Sequence, residues 1–177
     1  MQLALIDPTT APAPTAELLA EVQRRLGVTP NMTKAMANSP ALLKGYLELS
    51  GALARGLLDV ATRELVALAV AQSNECDYCL SAHSYLAEHA AHLDAGDIAA
   101  ARKAQAGDDK TTAILALATA VNDSRGDTPA DAIEAARAAG VTDEEIAETI
   151  GHVALNVLTN YFNKTAGVEI DFPVVTA

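Results

Sequence analysis

The chain has 177 residues, half of them hydrophobic, enough to bury a core in one domain or two tightly joined halves without disulfide staples. Twelve basic against twenty-three acidic side chains leave a formal charge of −11, which argues against nucleic acid or an anionic membrane as a partner. The apolar residues are mostly Ala, Leu and Val, with two Phe, four Tyr and no Trp, so closely packed helices are expected rather than a sheet.

The opening MQLALIDPTTAPAP has no basic leader, its apolar run stops at Asp7, and no later run approaches the roughly 20 residues that span a bilayer. A soluble, cytoplasmic, all-α protein is the expectation. Residues 1–14, rich in Pro and Thr, read as an extended arm, and residues 15–177 as a single helical domain. Thr15 stands where a cap of the first helix belongs, and Gly27 where it would end. A second helical region runs from about Asn31 to Arg55 and restarts at NSP, with Ser39 as cap and Pro40 at the first helical position. From Asp59 to about Asn74 a helix carries Leu65, Leu68, Ala69 and Gln72 at three- and four-residue steps. The next starts around the cysteines and continues to about Ala91, followed by helices over Asp94 to Gln105 and Asp108 to about Asn122. Thr128, Pro129 and Asp131 read as cap, first-turn proline and capping-box acid of a helix ended by Gly140. Thr142 and Glu145 repeat the capping-box signal for a last helix to about Phe162, and the tail GVEIDFPVVTA reads as extended.

Both cysteines fall in ECDYCLSAHSYL, residues 75–86. In the cytosol a close thiol pair is more often redox-active or metal-binding than a structural staple. On a helix Cys76, Cys79 and His83 share one face. A first helical turn offers them unpaired amide donors and the positive end of the helix dipole, both of which favour thiolate over thiol. One turn on, His83 is suited to accept the Cys79 proton directly or through a water. The spacing also allows a disulfide to close after one sulfur is oxidised. Glu64 lies twelve residues before Cys76, and spacing alone does not bring it to the site.

The same residues admit other uses. Cys76, Cys79 and His83 supply three acceptable zinc ligands, with Glu64, His89, His92 or His152 as a fourth if the fold brings one in. An inert buried pair would leave an interaction module. His89 and His92 are expected on the surface, and His152, in GHVALNVL, at a hydrogen-bonded helix contact. Leu65, Leu68 and Leu80 are expected to line an apolar pocket.

ELVALAVAQSNECDYCLSAH, a Glu, eleven residues, Cys-x-x-Cys, three residues and His, resembles the active-site signature of the alkylhydroperoxidase AhpD-like branch of the carboxymuconolactone decarboxylase family. PNMTKAMANSPALLKGYLELSGAL and NVLTNYFNKTAGVEIDFP are similar to uncharacterised peroxidase-related members of that branch, so the resemblance covers most of the chain after about residue 25. It implies an all-α fold, assembly into homo-trimers or homo-hexamers, and thiol-dependent peroxidase or disulfide-reductase activity with no bound cofactor or metal. It further implies that Cys79 attacks the peroxide, Cys76 resolves the sulfenic acid as a disulfide, and His83 with Glu64 relays the proton. An organic hydroperoxide would be the substrate, and a small dithiol or redox protein the reductant. One departure is Tyr78, which stands between the cysteines where the best-known members carry a histidine; a phenol there donates a hydrogen bond but is a poor base at neutral pH. Decarboxylases of the wider family share the fold without depending on a cysteine pair.

Overall fold

The computed structural model describes residues 2–177, and among these it contains nine helices and no strand. They are α1 (Ala13–Leu26), α2 (Asn31–Met36), α3 (Pro40–Leu53), α4 (Val60–Ser73), α5 (Asp77–His89), α6 (Ala95–Ala101), α7 (Asp109–Asp123), α8 (Ala130–Ala138) and α9 (Asp143–Ala166). The side chains of Ser39, Asp59, Asp94, Asp108 and Thr142 each accept a first-turn amide, a cap that contributes about 1 kcal/mol per helix. Gly27 and Gly167 end α1 and α9 in the left-handed region, at φ 74° and 57°, where a side chain would be strained.

Four boundaries differ from the sequence expectations, one of them the end of α6, which stops at Ala101 rather than Gln105. Thr15 does not cap α1: it is buried inside a helix that begins at Ala13, because Pro12 and Pro14 fit the start of a helix, where no intrahelical amide is needed. Thr128 does not cap α8 either; its hydroxyl pairs with Ser124 Oγ at 3.3 Å, and Pro129 precedes the first helical residue. The last helix runs four residues past Phe162, to Ala166.

At the centre lies α4, with Leu65 through Ala71 buried without interruption. A helix apolar all round belongs inside, and its alanines let α5, α7 and α9 pack close around it. This forms the larger apolar cluster, to which α6 and α8 add smaller faces. A second, smaller cluster joins Leu19, Val22, Met36, Leu43 and Leu47 from α1, α2 and α3. Met32 and Phe162 pack against both, and the site lies along this seam.

A short turn between α4 and α5 sets the position of the cysteines. Asn74 Nδ2 donates to Asn122 Oδ1 at 3.1 Å and to Asn160 Oδ1 at 2.9 Å, tying the turn to α7 and α9. Lys164 Nζ donates to the Asn74 carbonyl at 2.7 Å, and Cys76 N–H to the Ala71 carbonyl at 3.0 Å. Segment 168–177 then runs back over α5: Ser81 Oγ accepts Val175 N–H at 2.9 Å, and Asp77 Oδ1 accepts Ala177 N–H at 3.0 Å.

Candidate active site

Cys76 is the N-cap residue of α5 and Cys79 lies in its first turn, both buried, with their sulfurs 2.8 Å apart. Two sulfurs this close share one proton once the first is lost. Hydrogen bonding from Cys79 lowers the Cys76 pKa, and the charges of Lys164 and His83 assist. The same hydrogen bond, then burial and the Cys76 charge, push the Cys79 thiol up. Against this, Asn163 Nδ2 donates to Cys79 Sγ at 3.3 Å, and Asn160, whose buried Nδ2 has no other partner, also favours the Cys79 thiolate. When the pair loses its first proton the charge is therefore favoured on Cys76, and the donors that support a thiolate at Cys79 are already in place.

Glu64 does reach the site. The turn at residues 74–76 folds α5 back along α4, and Glu64 stands about as far before it as His83 stands after it, at roughly 1.5 Å of rise per residue. Their side chains meet with His83 Nδ1 2.7 Å from Glu64 Oε2. Burial disfavours the charged imidazole, but the Glu64 carboxylate, through its charge and hydrogen bond, and the Cys76 charge outweigh it and raise the His83 pKa above the ordinary value.

Cys79 and His83 open onto an apolar pocket of about 110 Å³ between the two clusters, walled by Leu26, Val28, Met32, Leu86 and Phe172. An apolar cavity of about 150 Å³ holds benzene, so this one suits a small ring or a short alkyl group. Leu65, Leu68 and Leu80, the expected lining, face the core instead: α4 is buried all round over Leu65–Ala71, and Leu80 lies on the core side of α5. A wider recess of about 690 Å³ between α1 and α3 carries neither cysteine nor histidine, so the chemistry points to the smaller pocket.

Two tyrosines on this pocket differ in what their hydroxyls do. Tyr78 OH donates to Asp171 Oδ1 at 2.8 Å and accepts Met32 N–H at 3.1 Å, and burial raises its pKa well above the ordinary value, so it is a structural tie and no base. Tyr46, on α3, has a hydroxyl with no hydrogen-bond partner among the described residues. Burial, then the charges of Cys79 and Glu64, push its pKa up to about 12, so it stays protonated and free to donate. The sequence reading passed over Tyr46, Asn160 and Asn163. The asparagines do leave a signal: His152, Asn156, Asn160 and Asn163 are polar at three- and four-residue steps on the face of α9 that also carries the buried Ile146 and Val153, and all four are buried.

The other histidines stand apart from the cysteines. His89 and His92 are exposed, His89 stacking on Tyr85 with ring centroids 4.1 Å apart. His152 is buried as expected, but its Nε2 has no hydrogen-bond partner, and burial lowers its pKa. Among the described residues no three His, Cys, Asp or Glu side chains converge as a metal site. No helix among them is long and apolar enough to cross a membrane.

A carboxymuconolactone decarboxylase family model matches residues 40–123, from α3 to the end of α7, and so takes in Glu64, Cys76, Cys79 and His83. Over that span, a little under half of its length, the chain is similar to the carboxymuconolactone decarboxylase family. An uncharacterized Haemophilus influenzae protein is 50% identical over 46 residues, 25% of this chain and 41% of that protein, so the chain matches less than half the relative's length. The AhpD-like fold extends further than the family match. An alkylhydroperoxidase AhpD core structure, an uncharacterized peroxidase-related protein from Ralstonia eutropha, superposes with a TM-score of 0.84 at 24% identity, covering 96% of this chain and 92% of that one. A peroxidase-related protein from Silicibacter gives 0.78 at 21% identity, covering 96% and 90%. The debrominase Bmp8, solved as a cysteine-to-alanine variant with 2,3,4-tribromopyrrole, gives 0.82 at 19% identity, covering 97% and 92%.

Proposed function

We propose that this chain is a member of the carboxymuconolactone decarboxylase family and a thiol-dependent peroxidase that reduces small organic hydroperoxides and cycles between a Cys76–Cys79 dithiol and disulfide. The observation that carries the reading is that Cys79, 2.8 Å from Cys76, opens onto an apolar pocket beside a His83–Glu64 pair. A proton shift across the sulfur pair leaves a Cys79 thiolate held by Asn163 and Asn160. That thiolate attacks the hydroperoxide oxygen, the O–O bond breaks, and the departing alkoxide takes a proton to become the alcohol. His83, with Glu64 behind it, moves that proton, and Tyr46 donates a hydrogen bond to the leaving oxygen. Cys76 thiolate then displaces hydroxide from the Cys79 sulfenic acid and closes the disulfide, and a small dithiol or a redox protein restores the thiols. The pocket's apolar walls support an alkyl hydroperoxide over hydrogen peroxide; equal rates with both would count against that choice.

Two substitutions test the roles of the sulfurs. Cys79→Ser is expected to abolish peroxide turnover, and Cys76→Ser to permit one attack and leave a sulfenic acid that a dimedone probe labels at Cys79. Retention of attack in the first variant and its loss in the second would reverse the assignment.

A second reading draws on the aromatic wall of the pocket, where the Phe172 ring lies 5.9 Å from Tyr78 at 88° and 5.9 Å from Tyr85 at 51°. A halogenated aromatic ring fits that wall, and Bmp8, of similar fold, is a debrominase. Thiol loss and bromide release with a bromopyrrole, absent with alkyl hydroperoxides, would favour it.

A further inference from the structure

The two sulfurs border different openings. Cys79 lines the apolar pocket, whereas Cys76 lines a separate recess of about 210 Å³ with Glu75, Asp77, Lys164, Gly167 and Ile170. Only Tyr78 and Asn163 border both. We propose that the pair is served from two sides, with the oxidant reaching Cys79 through the apolar pocket and a dithiol reductant reaching Cys76 through the recess beside Lys164. This rests on the peroxidase reading above.

Displacement at a disulfide sulfur runs in line, the incoming thiolate entering opposite the sulfur that leaves. A thiolate that attacks Cys76 must therefore approach along the sulfur–sulfur axis from beyond Cys76, on the side away from the apolar pocket. One that entered through that pocket would meet Cys79 instead. The recess supplies groups that such a reagent uses. Lys164, held by its bond to the Asn74 carbonyl, puts a cation close enough to the Cys76 sulfur to lower its pKa, and the same charge attracts an incoming thiolate. Asn163, 3% exposed, has an Oδ1 without a partner, which can accept from the second thiol of the reductant.

In the first step the reductant sulfur bonds to Cys76 Sγ, the Cys76–Cys79 bond breaks, and its electron pair stays on Cys79, which takes the proton released by the reductant. In the second the reductant's other thiolate attacks its own first sulfur, so that Cys76 leaves as thiolate and the reductant departs as a cyclic disulfide. Cys79 is a poor acid in the dithiol first because of Cys76's hydrogen bond, with burial and then the Cys76 charge adding to it. The hydrogen bond and the charge are absent while Cys76 is tied to the reductant, and the Asn163 and Asn160 donors remain for the departing sulfur.

The two half-reactions separate the openings. The disulfide is formed with diamide and its reduction by dithiothreitol followed by quenched thiol counts; oxidation of the dithiol by cumene hydroperoxide is followed in the same way. Glu75 and Lys164 are exposed, and because Glu75 holds the turn at φ 51°, its variant is required to keep the wild-type thermal midpoint and two titratable thiols. Glu75→Trp, which obstructs the recess, is expected to slow reduction about tenfold with oxidation within about twofold of wild type, and Lys164→Glu, which also removes a charge favouring the Cys76 thiolate, to slow reduction roughly threefold more than it slows oxidation. Val28→Trp, at the apolar pocket, is expected to slow oxidation about tenfold and spare reduction. Wild-type reduction rates in both recess variants, or equal slowing of both half-reactions by Val28→Trp, would overturn the proposal. A wild-type protein that ignores hydroperoxide yet shows this pattern in the reduction arm would remove the peroxidase reading and leave the reductant's entry at Cys76 standing.

Discussion

His83 Nδ1 and Glu64 Oε2 lie 2.7 Å apart, joining the second turn of α5 to the first turns of α4 beside the cysteine pair. The carboxylate orients the ring and makes it a stronger base, since it keeps the His83 pKa above its usual value against burial.

Glu64→Gln removes that support. On the proposed mechanism His83 takes up the proton given up by the thiol pair before passing it to the alkoxide, so the hydroperoxide rate is expected to rise with pH through the imidazole pKa; in the variant this limb is expected to move to lower pH and the plateau to fall by about ten- to hundredfold. Kcat/KM against pH reads both, and an unmoved limb would remove Glu64 from the relay.

The raised His83 pKa also links stability to pH. Its contribution is present in full below the unfolded imidazole value, about 6.5, and is lost as pH rises through the higher folded value. Urea midpoints for wild type are expected to fall across that window, and those for Glu64→Gln to change less.

Tyr46→Phe keeps the ring and deletes the free donor. Hydroperoxide reduction is expected to slow about tenfold or more, with the loss growing as the departing alcohol becomes a weaker acid. A loss that is the same for every leaving group would make Tyr46 a packing residue.

Asn163→Ala takes a donor from the Cys79 sulfur, leaving Asn160 alone to support its thiolate. The alkylation rate of Cys79 against pH is expected to shift to higher pH. Tyr78→Phe is different in kind: it breaks the ties to Asp171 and Met32 and is expected to lower stability by about 1–2 kcal/mol while preserving the thiol pair.

What was legible in the sequence were the features with a local cause. Ser39, Asp59, Asp94 and Thr142 announced helix starts because a cap is decided within four residues, and the column of Cys76, Cys79 and His83 follows from helical periodicity alone. Glu64 was identified through the family resemblance, and its meeting with His83 depends on the hairpin between α4 and α5, which spacing along the chain does not specify. The pocket walls were misread for a similar reason. Leu65 and Leu68 show helical spacing, but α4 has no solvent face, so periodicity could not say which leucines turn toward the seam. Tyr46 and Asp171 act at sequence separations of 33 and 93 residues from Cys79 and Tyr78 respectively, and no local pattern marks them.

The most direct measurement is a free-thiol count on the protein before and after one equivalent of an organic hydroperoxide, repeated after a dithiol is added. Two thiols that disappear together with the peroxide and return with the dithiol are the expected result. Two thiols that persist while the peroxide remains unconsumed would contradict a Cys76–Cys79 peroxidase.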